Sequence, residues 1–324
     1  MMLLKAAVLV MLALGMPAWA LAEAADKSPE AWLQDMLAVA KESSFSGHSV
    51  LVSGGQMVAL AVYHAPINGE VWERVVHMNG EPAEIIRRGS NVVCLHPAKS
   101  TGMAFKSPVP RWSALEQGLQ SLSRYYRFER AETSRVAGRQ AMRLNLSPLD
   151  AHRYGYSLWL DSDTGVLLRS QTLPDAGEPL EQFEFVDIVI GQPLTEADFE
   201  PGAGLTQPAR PGSDAYSPAS PQSEAPARHW EPGWLPEGFV ESQRVARFEG
   251  QGQVTIRAYT DGLASFTIFH EPVSEPVMDT TSAHGATVAV NRGMSGAVVT
   301  VVGEVPLVTA ERIASSVKAL AQPR

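Results

Sequence analysis

Residues 201–229 hold nineteen Pro, Gly, Ser or Ala among 29, and Leu205 and Tyr216 are the only larger apolar side chains there. A stretch of that composition buries too little apolar surface to offset the entropy of ordering it, so it reads as a flexible tether. As a random coil its ends would lie roughly 30 Å apart. It divides the chain into residues 23–200 and residues 230–324, and each part must build its own core. A hydrophobic content of 45% is enough for both. The one cysteine, Cys94, precludes an internal disulfide, so both cores must hold by packing alone. Cys94 lies in the strand-like run Asn91–Leu95 and reads as a small buried hydrophobe. An intermolecular bridge, and with it a homo-oligomer, or a redox-sensitive thiol is the alternative.

Residues 1–22 combine the lone basic Lys5, an apolar run from Ala6 to Leu14, the helix-ending Gly15-Met16-Pro17 and the small-residue site Ala20-Leu21-Ala22. These are the parts of a secretory signal peptide, with cleavage expected after Ala22. The apolar run falls short of the about 20 residues a bilayer span needs, and no later stretch is long or apolar enough. The expectation is a soluble, exported protein. Formal net charge is -9, and loss of Lys5 leaves 25 basic against 35 acidic residues. That balance argues against a nucleic-acid partner, which needs a basic field to neutralise phosphates.

In the first segment, Ser28 as N-cap, Pro29 and Glu30 in the first turn, and Trp32, Leu33, Met36, Leu37 and Ala40 at 3–4 residue spacing predict an amphipathic helix. Strand texture follows over His48–Val52, Met57–His64, Val71–Met78, Ala83–Arg88 and Val92–His96. These runs are punctuated by the hairpin dipeptides Asn68-Gly69, Asn79-Gly80 and Gly89-Ser90. A short helix around Ser113–Leu122 interrupts, and strands resume over Tyr125–Thr133, Ala141–Leu146, Tyr154–Asp161, Val166–Leu173 and Leu180–Val189. An antiparallel meander with helices covering one face is an α+β layout. The second segment reads as a smaller α+β domain, with strands at Val240–Arg247, Val254–Thr260, Ala264–His270, His284–Arg292 and Gly296–Val302. A helix over Ala310–Leu320, capped by Thr309, closes it.

Catalytic patterns are weak. Ser315-Ser316-Val317-Lys318 matches S-x-x-K without its companion motifs, and Gly293-Met294-Ser295-Gly296 falls one residue short of a nucleophile elbow. The eight histidines form no zinc-ligand spacing, so no metal or cofactor is expected. Asp161-Ser162-Asp163-Thr164-Gly165 lacks the distal glutamate of a calcium loop and reads as a hairpin turn. Two features stand out. Arg124, Arg127, Arg130, Arg135, Arg139, Arg143 and Arg153, with Arg87 and Arg88, are either an anion-binding surface or solvated strand faces. Trp230, Trp234, Phe239, Tyr259, Phe266 and Phe269 are either partner anchors or domain core.

Several segments resemble the RseB/MucB family. In the first domain these are Met78–Pro82, Ile85–Gly89, Tyr156–Asp161 and Glu178–Phe183; in the second, Trp230–Phe239, Tyr259–Phe266, Val301–Pro306 and Ala310–Ala314. The match is collinear over nearly the whole mature chain. The resemblance implies a periplasmic negative regulator of the sigma-E-type envelope-stress response. Such a protein binds the periplasmic domain of a membrane-spanning anti-sigma factor (RseA/MucA type) and shields it from site-1 proteolysis until lipid or lipopolysaccharide releases it. It also implies that the large domain is a LolA-like half-barrel of antiparallel strands covered by helices, and that the chain is no enzyme. A periplasmic lipid or lipoprotein carrier of LolA type is the alternative, and a hydrolase the third reading.

On residue type and placement, Trp230, Trp234, Tyr259, Phe266 and Arg292 are the expected contacts for the anti-sigma partner. Trp159, Phe183, Phe185, Arg87 and Arg88 are those for lipid, aromatic groups meeting acyl chains and guanidinium groups meeting phosphate.

Overall fold

The first helix, α1 (Pro29–Glu42), forms where the spacing predicts it, with the Ser28 side chain accepting from the Ala31 N–H. Its Trp32, Leu33, Met36 and Leu37 are buried. The structure is a computed structural model that describes residues 27–89, 91–97, 119–206, 229–249 and 252–320. The signal peptide, most of the helix expected at 113–122 and residues 207–228 of the tether lie outside the described residues. Among the described residues no helix is long and apolar enough to cross a membrane.

The strands β1 (Phe45–Ser53), β2 (Gln56–Ile67), β3 (Glu70–His77), β4 (Glu84–Arg88) and β5 (Asn91–Pro97) form one antiparallel meander. After α2 (Leu119–Leu122) come β6 (Tyr126–Arg130), β7 (Ser134–Val136), β8 (Arg139–Pro148), β9 (Gly155–Asp161), β10 (Leu167–Leu173) and β11 (Glu181–Ile190). Pairing of β1 with β11 fuses the two series, eleven strands in all, into one sheet. Asn68 and Gly69, both at positive φ, make the two-residue turn between β2 and β3 that the dipeptide announces.

One departure concerns residues 201–206, which composition places in the tether. They are ordered: β12 (Leu205–Thr206) pairs with the outer edge of β5. The Gly202 N–H donates to Glu84 at 3.2 Å, and a Cβ at Gly202 would overlap that carboxylate. An otherwise open sheet edge and a glycine that tolerates close approach hold the segment there.

Register assigns the faces, since directly opposed residues share one. Leu144, Leu158, Ser170, Phe183, Leu51 and Val58 run across successive strands on one side. Phe45, His64, Glu73 and Arg87 share that side, and the His64 Nε2 meets the Ala40 carbonyl of α1 at 2.8 Å. This is the helix-covered face. Arg143, Trp159, Arg169 and Glu184 form a row on the other side.

The second domain begins with β13 (Trp230–Pro232) and continues through β14 (Val240–Glu249), β15 (Gly252–Thr260), β16 (Ser265–Pro272), β17 (Thr280–His284), β18 (Thr287–Met294) and β19 (Ala297–Gly303). Strands β14 to β19 form a six-stranded antiparallel sheet in the order β14-β15-β16-β19-β18-β17. The helix α3 (Leu307–Ser316) packs on it through Ala310, Ile313 and Ala314. The expectation of a Thr309-capped helix running to Leu320 is corrected here. The helix starts after Pro306, Thr309 lies buried within it, and β20 (Val317–Ala319) leaves the helix to pair with β13. The S-x-x-K match is thereby split, Ser315 on the helix and Lys318 on the strand. Both domains together give the α+β class read from the sequence.

Candidate functional site

The covered face of the large sheet is lined by two apolar clusters. One gathers Trp32, Leu33, Met36 and Leu37 of α1 with Leu122, Tyr126, Leu144, Leu146, Tyr156, Leu158 and Leu160. The other includes Leu60, Val62, Val75, Ile85, Phe183 and Phe185. Phe183 and Phe185 meet edge to face at 5.1 Å, and Phe185 meets Phe45 the same way at 6.1 Å. Apolar residues at every second position of adjoining strands produce this face directly.

At one end of the face lies the row Tyr156, Thr172, Glu181 and Ser53, opposed across strands β9, β10, β11 and β1. Two turns of the second domain close on that end. The β17–β18 turn brings the Ala286 N–H to Glu181 Oε1 at 3.3 Å, and Gly285 is so close to Ser53 that a Cβ would overlap its hydroxyl. The β15–β16 turn places Leu263 against the α1 cluster of the first domain.

Asp261 anchors that second turn. Its Oδ1 accepts from the N–H groups of Leu263 at 2.9 Å and Ala264 at 2.8 Å. Its Oδ2 accepts from Arg153 Nη1 at 2.6 Å and from the Tyr126 hydroxyl at 3.2 Å. Arg153 also donates to Asp150 Oδ1 at 3.1 Å and to the Glu237 carbonyl at 2.6 Å. Its guanidinium faces the rings of Tyr125 (4.9 Å), Tyr126 (5.6 Å) and Phe239 (5.2 Å). Both side chains of the Arg153–Asp261 pair are 0% exposed. Burial pushes the Asp261 carboxyl up from its ordinary value, opposed by the Leu263 N–H, Arg153, the Ala264 N–H and Tyr126. Burial also works against the Arg153 charge, but Asp150 and Asp261 hold that guanidinium above the ordinary arginine value. Burial, with Tyr156, Asp261 and the hydrogen bond it donates, pushes the Tyr126 hydroxyl well up, and it stays a neutral donor.

The expected contacts are distributed unevenly over this geometry. By strand alternation Phe183, Phe185 and Arg87 point to the covered face and Trp159 and Arg88 to the opposite one, yet Trp159 is buried in the same apolar cluster as Phe183 and Phe185. Trp159 is packed between two guanidinium groups, Arg169 at 4.3 Å and Arg143 at 5.0 Å from the ring centre. Arg87 is bound to the buried Glu73, and Arg88 to Glu200 while stacking on Trp72. Trp230, Tyr259 and Phe266 are fully buried in the second domain's core, which is the core reading of the aromatic set. Trp234 is half-buried at the junction, with His152 of the first domain at 5.0 Å and Arg312 at 3.8 Å from its ring. Arg292 bonds Glu311 of α3 at 3.3 Å. The junction residues Tyr126, Glu181, Asp261 and Leu263 have no local signature; Asp261-Gly262 reads only as a turn. Arg153 belongs to the basic series, yet nothing in the series sets it apart. Asp161 accepts from Arg139 and Thr164 in the β9–β10 turn, so its carboxylate is already engaged.

Comparison with known proteins places this architecture. The MucB/RseB N-terminal domain matches residues 28–203, and the MucB/RseB C-terminal domain matches residues 224–318. The chain is 33% identical over 305 residues to the sigma factor AlgU regulatory protein MucB of Pseudomonas aeruginosa, covering 91% of this chain and 92% of that protein. It is 26% identical over 301 residues to the sigma-E factor regulatory protein RseB of Salmonella typhimurium, covering 91% and 92%. Among solved structures, the Pseudomonas aeruginosa MucA/MucB complex aligns with a TM-score of 0.74 at 30% identity, over 90% of this chain and 99% of that one. MucB in complex with MucA(peri) aligns at 0.72 and 30% identity, over 91% and 100%. A two-domain chain matched in order along both halves belongs to the MucB/RseB family, whose named members are sigma-factor regulatory proteins.

Proposed function

We propose that this protein is a periplasmic, non-enzymatic shield. It occupies the periplasmic segment of a membrane-spanning anti-sigma factor, protects that segment from site-1 cleavage, and lets go when an acyl lipid or lipopolysaccharide binds. The single observation that carries the reading is the covered apolar face closed at one end by a second domain through the buried Arg153–Asp261 pair. Such an arrangement couples occupancy of the face to the placement of the second domain, and a ligand shifts a two-state equilibrium only by preferring one arrangement. Support for the partner comes from relatives solved with MucA, which align over 90% and 91% of this chain. Phe183 and Phe185 are the lipid contacts on the covered face, and Arg87 lies beyond them on the same side. Trp234, at the junction, is the surface aromatic for the partner.

The test uses the purified full chain, the periplasmic anti-sigma segment and the site-1 protease. Cleavage should fall in proportion to stoichiometric occupancy, and added lipopolysaccharide should restore it. Cleavage at the same rate with and without the chain refutes the proposal.

A further inference from the structure

We infer that the turn Asp261–Ala264 is a stopper seated in the covered face, held shut by Arg153, and that a long acyl chain competes with Leu263 for the place it fills. The inference rests on the lipid-responsive reading above and assigns its regulation to named residues. Leu263 belongs to the second domain, yet packs on the first domain's cluster of α1 residues, Tyr126 and Tyr156. An aliphatic side chain among Leu, Met and aromatic groups occupies space that suits a methylene chain.

The turn is built to hold that side chain in place. Asp261 divides its oxygens: Oδ1 accepts the Leu263 and Ala264 N–H groups and shapes the turn, while Oδ2 faces Arg153 and Tyr126. The Gly262 N–H donates to Thr260 Oγ1 at 3.0 Å, and Gly262 sits at φ +106°. One carboxylate thus fixes the stopper's shape and fastens it to the other domain. With both charges fully buried, a half-broken latch leaves an uncompensated ion, so intermediate openings are disfavoured. The latch is either closed or open with both charges in water. Filling of the face from the interior would push Leu263 out and open it.

The test measures affinity of the full chain for parinaric acid, a fluorescent fatty acid, in Asp261→Asn and Leu263→Ala. Asparagine keeps Oδ1 for the two N–H groups but turns an amide toward Arg153, so the turn survives while the latch is lost. Leu263→Ala keeps the latch and removes the obstruction. Each variant should bind parinaric acid about tenfold more tightly than the unmodified chain, because the competent state is no longer a minor one. Affinities within about twofold of the unmodified chain in both variants, or no parinaric acid binding by any of the three, overturn the stopper. Binding of the anti-sigma segment to the unmodified chain is measured alongside. Its persistence with unchanged acyl affinities removes the stopper and leaves the shield. Its absence with raised acyl affinity in the variants removes the shield and leaves the stopper.

Discussion

Replacing Arg87 by methionine should destabilise the large domain without touching any solvent-facing lipid contact. Glu73 is 8% exposed at its side chain, and Arg87 supplies it with Nε at 2.8 Å and Nη2 at 2.6 Å. His64 Nδ1 adds a contact at 3.1 Å, and its Nε2 faces the Ala40 carbonyl. Both ring nitrogens thus face oxygen atoms. Removal of one partner from a buried ion pair costs about 3–5 kcal/mol. The surviving His64 contact, and the partial exposure of Arg87, put the expected loss near the lower bound, about 3 kcal/mol. In urea, at a slope of about 3 kcal/mol per molar, the midpoint of the large domain's transition should fall by about 1 M.

The double variant Glu73→Gln, Arg87→Met removes the orphaned charge and should recover much of that loss, giving a coupling of about 1–3 kcal/mol in the cycle. Circular dichroism follows the sheet transition, and lipopolysaccharide binding is measured on the same samples. If Arg87→Met leaves the midpoint in place and abolishes lipopolysaccharide binding, Arg87 acts on an external phosphate and the structural account fails.

Three further outcomes are expected. Burial alone would raise Glu73, but His64 and Arg87 hold it below the ordinary glutamate range. A depressed carboxylate contributes stability that is complete above the ordinary value, about pH 4.3, and lost as pH falls through the lower folded-state value. Acid titration of the Glu73→Gln variant should therefore show a shallower loss over that window, and an identical acid profile would contradict the assignment. At Gly238, φ is +88° and a Cβ would overlap the Tyr125 ring, so Gly238→Ala should loosen the domain junction while leaving each domain's own transition intact. Faster protease cleavage between the domains is the readout, and unchanged cleavage argues against that contact. A Cβ on Gly303 would overlap the Phe266 Cα, which is backbone and cannot swing away, so Gly303→Ala should cost the second domain about 1–3 kcal/mol. Trp230 fluorescence during unfolding reports that loss, and a midpoint equal to the unmodified chain's counts against it.

Much of the architecture could be read from residue order. The strands with apolar alternation and glycine turns appear where His48–Val52, Met57–His64 and Tyr154–Asp161 announce them, give or take terminal residues. Strand β17 leaves no mark in the residue order, because Thr280–His284 is exposed throughout and carries no apolar alternation. The end of α3 is not legible, because Val317 continues the apolar helical spacing while its backbone pairs with β13, far away in sequence. Neighbours such as Arg87 and Arg88 must project to opposite faces in any strand. Which of them meets the helix depends on pairing with Glu73 and His64, and a one-residue change of register would exchange them. The junction was hidden for a related reason. Tyr126, Arg153 and Asp261 are far apart in the chain, and each is ordinary in its own neighbourhood. The aromatic residues were conspicuous for their size, and in Trp230, Tyr259 and Phe266 size served the interior.

Fastening residues 205–206 to β5, and pairing Trp230–Pro232 with Val317–Ala319, pins both ends of the connecting piece to folded main chain. The 22 residues from 207 to 228 cannot stretch beyond about 75 Å whatever path they follow. A body leashed within that radius revisits its former seat at an effective concentration on the order of 1 mM. Under the proposed release, reclosure would therefore be unimolecular and indifferent to how many copies the compartment holds. A signal need only tip a local balance, and the response should reset as soon as that signal is withdrawn.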